Sequence, residues 1–172
     1  MLEVLNDIIK NKLIGFIQDK DGWDSLVINR RKPYTYRAFY QYGEYRVCLH
    51  RFEQCDPQEA FPHPHAWPAA FRILEGEYMM NIWEAPTLMV PPIGRPTVKL
   101  HLTTGSSYEM VNPKAWHTIQ PLKECYTVMV NGAPYPAHEQ HANIVTTKGK
   151  DLDKMSPNQL QTHFETFLLH LI

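Results

Sequence analysis

Apolar residues near the start of the chain recur at helical spacing. Leu2, Leu5, Ile9, Leu13, Phe16 and Ile17 fall on one side of a 3.6-residue repeat, which predicts an amphipathic helix over residues 2–18. Asp21-Gly22 breaks that pattern. From Tyr34 the texture turns to β: Y-T-Y-R-A-F-Y, a turn around Gln41-Tyr42-Gly43-Glu44, then Y-R-V-C-L-H-R-F, which together predict a hairpin. Short strands follow at F-R-I-L-E, Y-M-M-N-I-W, V-K-L-H-L, Y-E-M-V, H-T-I-Q and Y-T-V-M-V. They are punctuated by Gly76, the proline-rich stretch Pro86 to Pro96, Thr104-Gly105 and Asn131-Gly132. Strands at this spacing argue for a sandwich or barrel and against βαβ units. The polar segment K-G-K-D-L-D-K-M reads as a connection. Ser156-Pro157 then reads as an N-cap with proline in the first helical position, opening a closing helix over about 157–171 whose stripe is Leu160, Phe164, Phe167, Leu168 and Leu171.

Length and composition narrow the class. A chain of 172 residues with 44 % hydrophobic residues can bury a core as one domain, with a barrel over about 34–135 and a helix on either side. A formal net charge of −1 gives no nucleic-acid footprint and no polybasic membrane anchor; Arg30-Arg31-Lys32 is the one basic cluster and reads as a solvated loop. No apolar run is long enough to span a bilayer, and the acids early in M-L-E-V-L-N-D-I-I-K argue against a secretory signal. Cys48, Cys55 and Cys125 are odd in number and irregularly spaced, so reduced thiols in a cytoplasmic compartment are expected.

The chemistry concentrates in histidines. His63 and His65, in F-P-H-P-H-A-W-P, stand at i and i+2, and on an extended segment such residues point to one face. His117, in N-P-K-A-W-H-T-I, could supply a third nitrogen from a distant strand. Three nitrogen donors on one side of a divalent transition metal leave the opposite side open for chemistry. The competing reading of these residues is a barrel mouth that binds no metal, stiffened by Pro62, Pro64, Trp67 and Pro68.

Other residues around this set are weaker candidates. His101 alternates with Leu100 and Leu102, so it is solvent-facing if the leucines face the core and a further ligand in the opposite phase. Trp67, Phe71, Ile73, Trp116 and Ile119 are candidates to line a small apolar substrate pocket, with ordinary core packing as the alternative. Arg72 falls on the face opposite the histidines by strand phase. His50 reads as a hydrogen-bonded sheet residue, His138 and His141 as surface residues, and Cys125 as core. No phosphate loop, G-x-S-x-G elbow or paired catalytic carboxylate occurs.

The middle of the chain, about residues 45–131, resembles the cupins, small double-stranded β-helix or jelly-roll barrels. Gly76 follows His63-x-His65 at the spacing of the family's first motif; Gly105, Pro113 and His117 match parts of the second. The string L-H-R-F…H-P-H-A-W-P…I-L-E-G-E-Y also resembles a subgroup of small bacterial and phage cupins. The position of the family's metal-binding glutamate holds Ala69, or Ala70 at the longer spacing; Ala115 replaces a motif glycine and Pro121 the trailing asparagine. Glu75 lies about 20 Å along an extended strand from Ala69, too far to substitute, whereas Glu53 and Glu59 could fold back over the mouth.

The resemblance therefore implies a mainly β cupin barrel with a three-histidine centre, as in the thiol and β-diketone-cleaving dioxygenases of the superfamily. It implies Fe(II), with Mn, Ni or Zn also suited to the same donors, and an oxidoreductase acting on a small polar metabolite. A non-catalytic small-molecule-binding or sensory cupin, with a structural metal or none, is the alternative. Pairing into a homodimer is a further implication of the family.

Overall fold

In a computed structural model, described here for residues 1–87, 89–136 and 151–171, two antiparallel sheets face one another. The N-terminal helical pattern forms α1 (Leu2–Asn11) and α2 (Leu13–Gln18), followed by a single 3-10 turn at Lys20–Gly22. The expected single helix over 2–18 is thus broken at Lys12, and the break brings Leu13 and Ile17 into one buried cluster with Leu5 and Ile8.

The strands are β1 (Trp23–Ile28), β2 (Thr35–Tyr42), β3 (Tyr45–Phe52), β4 (His63–Pro64), β5 (Ala69–Glu75), β6 (Glu77–Glu84), β7 (Val98–Thr103), β8 (Ser107–Met110), β9 (Ala115–Pro121) and β10 (Cys125–Asn131). One sheet has the order β1-β2-β3-β10-β5-β8 and the other β4-β9-β6-β7. The barrel gains a strand, β1, that the sequence reading left out. The closing helix α3 (Pro157–Leu171) lies where expected, and Ser156 and Gln159 cap it reciprocally: the Gln159 N–H donates to Ser156 Oγ (3.3 Å) and the Ser156 N–H to Gln159 Oε1 (2.9 Å). No described helix is long and apolar enough to cross a membrane.

Three layers result. Leu5, Ile8, Leu13, Ile17, Phe164 and Phe167 from the helices bury one face of the larger sheet, against Ala38, Val47, Leu49, Ala70, Val128 and Val130. The other face turns inward with Cys48, Ala69, Phe71, Phe52, Ile73, Cys125 and Met129, and meets Tyr78, Met80 and Ile119 of the smaller sheet. β10 is covered on both faces, which is why C-Y-T-V-M-V-N is buried throughout and lacks alternation. Gly76 joins β5 to β6 at φ +93°, where an added Cβ would stand 2.6 Å from the Glu124 carbonyl oxygen. That close approach fixes the corner leading into the site-bearing β6–β9 pair. All three cysteines are buried and unpaired.

Candidate metal centre

Two strands set the centre. β4 pairs with β9 so that His63 lies directly opposite His117. β9 pairs in turn with β6, placing Ile82 beside His117 and Met80 beside Ile119 on the inward face. The chain leaves β4 still extended enough for His65 to return toward the same point. His63 Nε2 lies 3.0 Å from His117 Nε2, and His65 Nε2 lies 2.9 Å from it. One ligating atom from each of the three falls within 4.8 Å of the others, and no carboxylate joins them among the described residues. His117 is fully buried, while His63 and His65 keep partial access.

The Nδ1 contacts of His63 and His117 assign the tautomers of those two rings. His63 Nδ1 donates to the Phe61 carbonyl at 3.4 Å, and His117 Nδ1 has the Met80 thioether sulfur at 3.4 Å as its acceptor. With both Nδ1 atoms protonated, both Nε2 atoms carry lone pairs, and these oppose each other at 3.0 Å. An electropositive centre between them removes that repulsion. Two imidazole nitrogens about 2.1 Å from one ion and at right angles lie about 3.0 Å apart, so the observed separations fit a shared cation. Burial holds all three rings in the neutral, ligand-competent form. It lowers His63 to about 4 and His65 to about 3, and pushes His117 well below the ordinary histidine range; the guanidinium of Arg37 adds to the first two effects.

Phe71 packs beside the centre, its ring 5.6 Å from that of His65 and 6.2 Å from that of His117. It stacks in turn on Tyr108 at 4.7 Å, whose hydroxyl accepts a hydrogen bond from Tyr78 at 2.8 Å. Trp67 packs against the Phe71 cluster, while Ile73 and Ile119 belong to the adjoining interior cluster.

Trp116 is the departure from the expected pocket set. It alternates with His117 on β9, is turned to the opposite face and donates its indole N–H to the Thr87 carbonyl at 3.1 Å. His101 is half exposed and bonds Glu77 at 2.6 Å, so it lies outside the histidine group; Leu100 and Leu102 take the core side. Glu59 is held by Lys32 at 2.9 Å, and Glu75 stands near Lys123. Arg72 bonds Ser107 and Asn6 on the outer side. His138 and His141 lie outside the described residues. Arg37 was not singled out by the sequence, because the strand Y-T-Y-R-A-F-Y carries apolar residues in both phases.

No family model matches the chain, and no curated protein matches it. Solved structures do. Fe(II)-HppE with the alternative substrate (S)-1-HPP matches with a TM-score of 0.50 and 17 % identity, over 63 % of this chain and 55 % of that one. Hydroxypropylphosphonic acid epoxidase from S. wedmorenis matches with a TM-score of 0.50 and 18 % identity, over 64 % and 56 %. The chain thus spans little more than half the length of these neighbours. At such identities the likeness is one of fold, and that fold is a cupin-like β-sandwich.

Proposed function

We propose that His63, His65 and His117 hold a divalent transition metal, Fe(II) foremost, and that the protein is a metal-dependent oxidoreductase acting on a small polar metabolite. The observation that carries this reading is the convergence of three neutral imidazoles on one point, with two Nε2 lone pairs opposed at 3.0 Å. Fe(II) is also the ion named with the structural neighbour of the same fold. Mn, Ni and Zn suit the same donors. When bound, a redox-active ion in this donor set supplies Lewis acidity and one-electron chemistry at positions not taken by protein.

The chain's own contributions are specific. The Phe61 carbonyl and the Met80 sulfur fix which nitrogen of His63 and of His117 faces the centre, as outer partners of metal-ligating histidines do. Burial keeps the rings unprotonated well below neutral pH, so metal does not compete with protons for them. Phe71 packs against one side of the His65 ring, 5.6 Å between centroids. Anaerobic loading with Fe(II) followed by oxygen-uptake measurement on a panel of small metabolites tests the reading. Metal-dependent uptake is expected in the wild type and none in His117→Ala. Metal and metabolite binding without oxygen consumption would instead favour a non-catalytic binding protein.

A further inference from the structure

Arg37 stands on the inward face of β2, directly across from His50 on β3, in the same phase as Phe39. Its Nε donates to His50 Nε2 at 2.7 Å. Among the described residues no carboxylate pairs with it, and its two Nη nitrogens make no hydrogen bond. Those nitrogens are nevertheless not sealed from solvent, and the residue keeps partial access. Other groups on this face deepen the imbalance. Cys48 is kept as a neutral thiol by burial, and Arg46, stacked 5.2 Å over Phe39, adds a second positive charge on the same face. His50 completes its bond to Arg37 at the expense of a buried Nδ1 with no partner. Phe39 and Cys48, the next facing pair along this face, pack in one cluster with Phe71, whose ring lies 5.6 Å from that of His65, so Arg37 stands on the interior face that leads to the candidate centre.

A cation drawn largely out of water without a counter-ion is costly, and folding alone gives no reason to keep one. With Nε committed to His50, Arg37 presents its Nη1–Nη2 edge, two parallel N–H donors spaced for the two oxygens of a carboxylate. Resting on the reading of the three histidines as the reaction centre, we infer that Arg37 anchors the carboxylate of a small organic acid substrate and His50 positions the guanidinium. A monoanion balances the one charge in direct contact.

The test separates the two readings. Metal-free wild type and Arg37→Gln are titrated calorimetrically with propionate, ethylphosphonate and propionamide at fixed ionic strength, and both proteins are separately titrated with Co(II) by visible absorption. Propionate is expected to bind the wild type and to bind Arg37→Gln at least tenfold more weakly, with propionamide not bound. Arg37→Gln should take up Co(II) with wild-type stoichiometry and melt no lower than wild type, since an uncompensated charge has been removed. Equal propionate affinity in the two proteins overturns the inference, as does binding of propionamide equal to that of propionate. Tighter binding of ethylphosphonate than propionate overturns the carboxylate assignment. A marked fall in melting temperature for Arg37→Gln overturns it in favour of a structural arginine. Arg37→Lys, which keeps the charge and loses the fork, should fall between the other two and provides the same comparison if Arg37→Gln does not fold. Failure of the wild type to bind Co(II) overturns the metal reading and leaves the propionate titrations to decide Arg37.

Discussion

Lowering the pH from 7 to 5 should destabilise the metal-free protein, and His163 allows one share of that loss to be isolated. The residue lies on α3, is 5 % exposed and donates from Nε2 to the Leu49 carbonyl at 3.2 Å. Burial lowers it to about 4, against a weaker opposing effect of the Leu49 hydrogen bond. The unfolded chain binds a proton on this ring near the ordinary value of about 6.5, whereas the folded chain does not until about 4. Stability from neutral His163 is therefore present in full above about 6.5 and is lost as the pH falls toward 4. Between pH 7 and pH 5 the loss is about 2 kcal/mol for this group alone, or roughly 1 M in urea midpoint for a slope of about 2 kcal/mol/M. His63 and His65 act in the same direction, so the wild-type loss should exceed that figure. His163→Gln keeps a donor for Leu49 and removes the titration. Urea unfolding followed by tryptophan fluorescence at both pH values should show a pH dependence about 2 kcal/mol smaller in the variant. Equal pH dependence in the two proteins would refute a neutral, buried His163.

Gly76→Ala should destabilise by about 2–4 kcal/mol, because a Cβ there meets the Glu124 oxygen at 2.6 Å and the backbone has φ +93°; chemical denaturation measures it. Phe71→Ala, emptying a site that is 3 % exposed, should cost about 3–5 kcal/mol and weaken metal affinity by loosening His65, readable by denaturation and by Co(II) titration. His101→Ala should alter stability by no more than about 0.5 kcal/mol and leave metal stoichiometry unchanged, since its exposed bond to Glu77 is screened by solvent.

The β character of the chain was legible because most strands have a clear run between turn residues, and Gly43 and Gly105 take the positive φ that their turns require. β1 was not. Trp23 and Ser25 are its buried residues, yet the strand also leans on the segment before α3, where the Val27 N–H donates to the Asp153 carbonyl and the Met155 N–H to Ser25 Oγ. A polar residue buried by such long-range bonds interrupts the pattern that marks a strand. The histidine set was readable from the i, i+2 spacing and the distant His117, but the opposition of His63 to His117 is a matter of strand register that local pattern does not encode. Trp116 shows a signal passed over: alternation with His117 already placed it on the other face. Arg37 left no such trace, because Phe39 shares its phase while Tyr36, Ala38 and Tyr40 make the other phase the more apolar; its inward position follows from how β2 pairs with β3 and packs in the sandwich.

Metal content after loading and desalting, measured on wild type beside His63→Ala and His117→Ala, bears most directly on the three-histidine centre. About one transition-metal ion per wild-type chain, a higher melting temperature with metal, and loss of both in His117→Ala are the predicted results. A wild type that retains no metal and melts at the same temperature with and without added Fe(II), Mn, Ni or Zn would contradict it.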